Sequence, residues 1–213
     1  HKPSGAFVAP RDGRCKVNMK DISLIGFMGC GKSSVGKILA TLLPECRLID
    51  LDTYIEEKQG KNIPEIFNEY GEAAFRRMER EALEEIFSDK SRPRAILSLG
   101  GGTVTSEQCR QLIRQHTDCF YLRATTDTLL DNLEGHSDGR PMLNPVQPAE
   151  ASPTETSSER EALRRRIESL MQTRSPQYIA TAHHIIDING QTFAQIAEII
   201  KEAVETNTLN IKR

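Results

Sequence analysis

The chain has 213 residues, with 28 Lys or Arg against 30 Asp or Glu, so its formal net charge is −2. Hydrophobic residues make up 38% of the sequence, which excludes a chain that is disordered throughout, and no stretch has the roughly 18 consecutive apolar residues of a membrane span. Near-neutral charge and an aromatic content of 5% without Trp argue against a nucleic-acid surface. We therefore expect a cytoplasmic protein, with no reason to be more than a monomer, that acts on small molecules and binds neither nucleic acid nor a membrane.

Predicted strands and helices alternate along the chain. Residues 1–18 have little periodicity, and we expect a disordered or added leader there, followed by one domain over 19–213. Apolar runs bounded by turn residues predict five buried strands, at 22–27, 46–51, 95–99, 119–122 and 184–188. Helical periodicity follows at 32–43, 53–59, 64–87 with a break near Gly71, 106–116, 126–133, 159–173 and 192–206. This alternation predicts an α/β fold with a parallel sheet between two layers of helices, with ligands bound at the carboxyl ends of the strands.

One segment interrupts the alternation of strands and helices. Residues 135–158 contain four prolines and many small polar residues, and they are too many for a simple connector. Composition alone favours a floppy insertion, and the functional alternative is a mobile lid over the site.

The cysteines and histidines do not suggest a metal or redox site. The five cysteines are widely spaced without a C-x-x-C pair, and the five histidines lack metal-ligand spacing. We expect reduced thiols and no zinc.

The most specific motif is a phosphate-binding loop at the end of the first predicted strand. Residues 26–33 read G-F-M-G-C-G-K-S, which satisfies G-x-x-x-x-G-K-[ST], and a helix is predicted to follow. Glycines allow the backbone N–H groups to surround a polyphosphate at the positive end of that helix. We expect Lys32 to bridge the β- and γ-phosphates and the Ser33 hydroxyl to bind Mg²⁺. Cys30 fills a small-residue position, and Ser34 begins the helix within reach of a phosphate oxygen.

Two carboxylates end the second predicted strand. If the strand continues through Ile49-Asp50-Leu51-Asp52, its pleat places Asp50 and Asp52 on one face. One could hold a water of Mg²⁺ while the other accepts a proton from an attacking hydroxyl. Asp52 could equally cap the helix that follows, and both roles can coexist.

Three consecutive glycines, Gly100 to Gly102, follow the third predicted strand. They allow a ligand to approach the backbone closely, or they form only a tight turn. No aspartate ends this strand, which leaves the metal to Ser33 and Asp50.

Three arginines are candidates for binding anions. Arg76, Arg140 and Arg174 could each be solvated, but a guanidinium suits a carboxylate, and an arginine on a closing loop suits a phosphoryl group. Glu79, three residues after Arg76, either orients its guanidinium or forms a weak surface pair.

Taken in order, these motifs resemble the shikimate kinase family over about residues 19–204. The matching segments are G-F-M-G-C-G-K-S, D-L-D-x-x-I-E, F-R-x-x-E, G-G-G, R-P-M-L and R-S-P-x-Y. The resemblance implies ATP-dependent phosphorylation of the 3-hydroxyl of shikimate, on the way to chorismate and the aromatic amino acids. It also implies the fold of nucleoside monophosphate kinases, with a five-stranded parallel sheet in the order 2-3-1-4-5.

The resemblance also implies a role for each candidate residue. Phosphates would be bound by Gly29, Cys30, Gly31, Lys32, Ser33 and Ser34, with Mg²⁺ on Ser33 and, through water, on Asp50. Asp52 would hold the shikimate hydroxyls and act as base or orienter. Arg76 and Arg174 would bind the carboxylate, Gly101 would offer backbone to a ring hydroxyl, and Arg140 would swing in on the lid to contact the phosphates.

The chain departs from the family pattern in two places. The family usually has an arginine that stacks on adenine before the lid, where this chain has residues 130–134, L-D-N-L-E. The segment 144–158 is longer than the usual lid.

Two other functions are compatible with a phosphate-binding loop. Another small kinase, such as a gluconate or nucleoside monophosphate kinase, would share the fold and Lys32, but it would not need the paired aspartates, the triple glycine and the two carboxylate-directed arginines. A nucleotide-dependent regulator without turnover could dispense with Asp52, and the N-K-x-D motif of G proteins is absent.

Overall fold

The computed structural model describes residues 20–133 and 156–211. Three predicted features lie wholly or largely outside these ranges: the leader 1–18, Arg140 and the lid segment 135–158. They stay predictions, as does the single domain over 19–213. The described strands are β1 (Asp21–Ile25), β2 (Arg47–Asp50), β3 (Ala95–Ser98), β4 (Thr117–Arg123) and β5 (His184–Asp187). The helices are α1 (Lys32–Leu42), α2 (Leu51–Gln59), α3 (Ile63–Ser88), α4 (Glu107–His116), α5 (Thr126–Leu133), α6 (Thr156–Thr181) and α7 (Phe193–Ile211), with a 3₁₀ turn at Thr103–Thr105.

The five strands form one parallel sheet in the order β2-β3-β1-β4-β5, which confirms the predicted fold class. In the register, Ser23 of β1 lies opposite Leu97 of β3 on one side and Cys119 of β4 on the other. Because every strand is parallel, the loops after β1 to β5 all leave the sheet at one edge, where the site is expected.

Helices cover both faces of the sheet, because the inner strands carry apolar side chains on both faces. Ile22 and Leu24 belong to a core with α1, α5 and α7, while Ile25 packs in a second core with α2, α3 and α4. Helix α6 contributes to both, through Ile167 in the first core and Tyr178 in the second. Burying each such side chain contributes about 1.5–3 kcal/mol, so the two cores hold the loops at the carboxyl edge in place.

Two predicted element boundaries are wrong in ways that matter for the site. Helix α6 does not end at residue 173 but continues through Pro176 to Thr181. A proline inside a helix costs about 3 kcal/mol, and here the burial of the Tyr178 ring on the same helix opposes that loss. Strand β2 ends at Asp50, and Leu51 already begins α2.

The predicted break in α3 is confirmed at Gly71, which has φ +77° and ψ 170° within the helix. The four cysteines in the described part of the chain, Cys30, Cys46, Cys109 and Cys119, are buried and free. None of the helices in the described ranges has the length and apolar character needed to cross a membrane.

Candidate active site

The phosphate-binding loop joins β1 to α1 as the motif predicts. Gly29 and Gly31 have φ of +82° and +87°, a conformation that disfavours any residue with a side chain. Gly31 directly precedes α1, and the N–H of Val35 donates to its carbonyl oxygen at 2.8 Å. The loop therefore presents its backbone at the positive end of α1, which is where an anion is best stabilised.

Lys32 is bound to the loop itself in this structure. Its ammonium group donates to the carbonyl oxygens of Gly26 at 3.0 Å and Phe27 at 2.9 Å. The side chain is 9% exposed and lines the cavity above the loop. The ammonium group therefore lies against the loop that is predicted to bind phosphate.

Ser33, Asp50 and Ser98 place hydroxyl and carboxylate oxygens together at the start of α1. The Ser33 hydroxyl donates to Asp50 Oδ2 at 2.8 Å and lies 3.1 Å from Ser98 Oγ. Oxygen ligands of this kind are what Mg²⁺ prefers, and the ion usually keeps several waters. The residues present therefore fit the metal predicted for Ser33 and Asp50. The sequence analysis missed Ser98, although it occupies the last position of β3.

Asp52 lines the cavity, but it lies on a helix and not on the predicted strand. The pleat argument is wrong, because β2 ends at Asp50 and Asp52 lies in the first turn of α2. The helix cap is Asp50, whose Oδ1 accepts from the N–H of Thr53 at 3.4 Å, and not Asp52. Both carboxylates nevertheless line the same cavity.

The environment of Asp52 raises the pKa of its carboxyl from 3.8 to about 7. Burial is the largest cause, followed by the negative charges of Glu79 and Asp50, while the Lys32 ammonium lowers the pKa. The group therefore titrates near neutral pH, the range in which a carboxylate is most effective as a general base.

Arg76 is paired with the buried carboxylate of Glu79. The pair is therefore not the weak surface ion pair that was one of the two interpretations of their spacing. Arg76 Nη1 lies 2.6 Å from Glu79 Oε2, and the Glu79 side chain is 0% exposed. Thr103 donates its hydroxyl to the other oxygen of Glu79 at 2.5 Å. Burial raises the pKa of Glu79, and the Arg76 charge opposes this. The guanidinium is consequently fixed against the triple glycine, and a Cβ at Gly102 would lie 2.2 Å from Arg76 Nη2.

Arg174 and Tyr178 bring α6 to the same glycines. Arg174 is 4% exposed, and its guanidinium lies 5.9 Å from the centre of the Phe27 ring. The phenol of Tyr178 donates to the carbonyl oxygen of Gly101 at 2.5 Å, and Arg174 Nη1 lies 3.5 Å from the same oxygen. Tyr178 was not predicted as a site residue, although its place one helical turn after Arg174 is the signal that could have found it.

A cavity of about 570 Å³ connects most of these groups. It brings together the predicted residues Gly29, Gly31, Lys32, Ser33, Ser34, Asp50, Asp52 and Gly101. It is also lined by Asp131, Asn132 and Phe193, which the sequence analysis did not single out. Cys30 is buried beneath the loop, and Arg76 and Arg174 lie behind Gly102 and Gly101 and do not line the cavity wall. The arrangement places a phosphate-binding loop, oxygen atoms that fit Mg²⁺ and a carboxylate that titrates near pH 7 in one cavity, with two guanidinium groups beside the triple glycine.

Comparison with known proteins decides between the kinases that share this fold. A family model described as shikimate kinase matches residues 28–205. The chain belongs to the shikimate kinase family. It is 39% identical over 181 residues to the shikimate kinase of Chlorobaculum tepidum, covering 85% of this chain and 88% of that one. It is 35% identical over 184 residues to that of Thermus thermophilus, covering 86% and 88%.

Solved structures agree with the family assignment. The shikimate kinase from Acinetobacter baumannii in complex with shikimate is similar with a TM-score of 0.74 at 30% identity, covering 90% of this chain and 96% of that one. The shikimate kinase from Bacteroides thetaiotaomicron has a TM-score of 0.72 at 28% identity, covering 87% and 98%. The family, and the strand order 2-3-1-4-5 that it implied, are therefore confirmed.

Proposed function

We propose that this chain phosphorylates the 3-hydroxyl of shikimate with ATP, giving shikimate 3-phosphate and ADP, in the biosynthesis of chorismate and the aromatic amino acids. The observation that carries the proposal is the position of Asp52. It lies in one cavity with the phosphate-binding loop, and a Cβ at Gly100 would lie 3.0 Å from both Asp52 Oδ1 and Glu79 Oε1, the carboxylate that holds Arg76. Asp52 would receive the hydroxyl of the acceptor, and the two guanidinium groups beside the triple glycine would receive its carboxylate.

The two guanidinium groups are the proposed site for the shikimate carboxylate. Arg76 Nε is buried and has no hydrogen-bond partner among the described residues, so a donor is available there. A buried donor without a partner costs about 1–3 kcal/mol, which a bound carboxylate would recover. Arg174, fixed beside the Gly101 carbonyl, would bind the same carboxylate from α6. The Gly101 carbonyl already accepts from Tyr178, so we assign its N–H to the ring hydroxyl.

Proton transfer to Asp52 accompanies the proposed chemistry. The shikimate 3-hydroxyl oxygen attacks the γ-phosphorus, the bond from that phosphorus to the ADP oxygen breaks, and the hydroxyl proton passes to the Asp52 carboxylate. Lys32 would leave its two carbonyls to stabilise charge on the β- and γ-phosphates. These are positioning and electrostatic effects, which dominate phosphoryl transfer.

Mg²⁺ would be held by Ser33 directly and by Asp50 through water, with Ser98 beside them. When bound, the ion neutralises negative charge on the nucleotide phosphates. Cys30 and Ser34 complete the predicted phosphate loop, and Arg140, outside the described residues, keeps its predicted role on the phosphates. Action as a cytoplasmic monomer, without nucleic acid or membrane, stays a prediction of the sequence.

An ADP-release assay with ATP and Mg²⁺ tests the function, with shikimate run beside gluconate and a panel of nucleoside monophosphates. We expect ADP release that depends on shikimate and is lost in Arg174→Ala. Arg165→Ala, which removes an exposed arginine of α6 that contacts the Glu161 carbonyl oxygen, is the control and should keep wild-type turnover. Turnover of gluconate or a nucleoside monophosphate in place of shikimate would refute the proposed acceptor, and silence with every acceptor despite ATP binding would favour a regulator.

A further inference from the structure

The triple glycine beside the cavity has no side chains to hold its backbone in one orientation. Glycine populates more backbone conformations than other residues do, so each peptide of this segment keeps one orientation only if a partner holds it. The Gly100 carbonyl oxygen accepts from the N–H of Thr103 at 3.1 Å, and the Gly102 carbonyl oxygen accepts from the N–H of Thr105 at 2.9 Å. These two peptides are therefore held by the turn that follows them in the chain.

The carbonyl of the middle glycine, Gly101, is held from a distant helix instead. Its oxygen accepts from the Tyr178 phenol at 2.5 Å, and Arg174 Nη1 of the same helix lies 3.5 Å from it. Burial raises the pKa of the Tyr178 phenol, so the phenol keeps its proton and remains a donor. Gly101 also faces the phosphate-binding loop closely, because a Cβ there would lie 3.1 Å from the backbone nitrogen of Met28. The middle glycine is thus fixed by contacts with that loop and with α6.

The sheet holds the Tyr178 phenol in place. The Tyr178 ring is buried and stacks on the buried ring of Tyr121, with centroids 4.9 Å apart and an angle of 21° between the ring planes. Tyr121 belongs to β4, which lies next to β1 and so next to the strand that leads into the phosphate-binding loop. The Tyr121 phenol oxygen is also buried, but it has no hydrogen-bond partner among the described residues. The two stacked tyrosines therefore differ in that the Tyr178 hydroxyl is bonded to the triple glycine.

We infer that Tyr178 is a positioning residue for the acceptor, because its hydroxyl fixes the Gly101 peptide and leaves the Arg174 guanidinium free for a carboxylate. This rests on the proposed function, in which the Gly101 N–H and Arg174 bind shikimate. Without the Tyr178 hydroxyl, the Gly101 carbonyl oxygen would have Arg174 as its remaining donor from α6. A guanidinium drawn onto that oxygen would be a poorer partner for the carboxylate. Loss of the hydroxyl should therefore weaken acceptor binding and spare nucleotide binding.

The test removes the hydroxyl and keeps the ring. In the ADP-release assay, Tyr178→Phe should raise KM for shikimate about 5- to 50-fold, because it leaves a buried carbonyl oxygen that competes for Arg174. KM for ATP should not change, and kcat should fall by less than KM for shikimate rises. Tyr121→Phe is the matched control, because it removes the hydroxyl of the other ring in the same stack. It should leave both KM values at the wild-type level. A purely structural role of Tyr178 would lower the melting temperature without separating the two KM values.

A second readout needs neither acceptor nor nucleotide. The carbon-13 chemical shift of the Gly101 carbonyl reports its hydrogen bond, so it should change in Tyr178→Phe and stay in place in Tyr121→Phe. An unchanged Gly101 signal in Tyr178→Phe would overturn the inference, as would an unchanged KM for shikimate or an equal rise in both KM values. Shikimate-dependent ADP release by the unmodified chain tests the proposed function separately. If the unmodified chain uses shikimate and Tyr178→Phe binds it equally well, only the positioning role of Tyr178 is refuted.

Discussion

Replacement of Asp52 by Asn should abolish turnover and stabilise the folded protein. The folded state raises the pKa of this carboxyl from 3.8 to about 7, so above pH 4 folding works against ionisation of the group. A difference of about 3 in pKa corresponds to about 4 kcal/mol at pH 7 and above. Partial exposure to the cavity, and the loss of a favourable charge in the first turn of α2, reduce the expected gain to about 2–3 kcal/mol.

The pH dependence of the stability gained by Asp52→Asn identifies the cause of that gain. Below about pH 3 the Asp52 carboxyl is protonated in the folded and unfolded states alike, and Asn should confer no advantage. Between pH 4 and 7 the unfolded wild-type chain ionises while the folded one resists, so the advantage of Asn should grow with pH and then level off. At pH 5 the same arithmetic gives about 2 kcal/mol before reduction.

Urea unfolding of wild type and Asp52→Asn at pH 5, 6, 7 and 8 measures this directly. At pH 8 the variant should also melt about 5–10 °C higher, since about 1 kcal/mol shifts the melting temperature of a chain of this size by 2–4 °C. Glu81→Gln, which removes an exposed carboxylate of α3, is the control and should show no such trend. A difference in unfolding free energy that does not change with pH, or a variant less stable than wild type at pH 8, would refute the reasoning.

Four further outcomes follow from the same geometry. Lys32→Ala should lower kcat about 100- to 1000-fold in the ADP-release assay, because the lysine charge acts on the transferring phosphoryl group, and the melting temperature should change little. An unchanged kcat would remove Lys32 from the mechanism. Gly102→Ala should raise KM for shikimate at least tenfold by displacing the Arg76 guanidinium. An equal rise in KM for ATP would contradict that cause. Glu79→Gln, which removes the buried one of the two carboxylates that hold Arg76 and leaves only the exposed Glu72, should also raise KM for shikimate about tenfold or more, and an unchanged KM would make the pair purely structural. The kcat/KM for shikimate should rise about tenfold per pH unit up to about 7 and then level off, as expected if ionised Asp52 is the base; a flat profile between pH 5 and 7 would exclude it.

Local sequence patterns were sufficient to predict five parallel strands and the phosphate-binding loop, while the strand order was implied only by the resemblance to the family. Each strand is a short apolar run bounded by turn residues, and G-x-x-x-x-G-K-S needs only the strand before it and the helix after it. The same patterns failed where one element passes directly into the next. Asp50 and Asp52 were assigned to one strand because nothing in I-D-L-D marks the residue at which a strand becomes a helix. The helix predicted over 159–173 continues through Pro176 to Thr181, because tertiary packing keeps α6 intact.

Contacts between distant parts of the chain were not accessible from the sequence. The bond from Tyr178 to the Gly101 carbonyl joins residues 77 positions apart, and Ser98 is a site residue only because β3 lies next to β1 and β2. Glu79 has the spacing of an ordinary helical ion pair, and only its burial shows that it positions Arg76. Phe193 looks like one more apolar residue of α7 until its exposure and its contact with Gly31 are known.

The identity of the product tests the central claim most directly. Phosphorus and proton NMR of the protein incubated with ATP, Mg²⁺ and shikimate would show whether a phosphate ester forms and at which carbon. The account predicts a monoester on the 3-hydroxyl, formed in step with ADP. An ester on another hydroxyl, or inorganic phosphate released while shikimate stays unmodified, would contradict it.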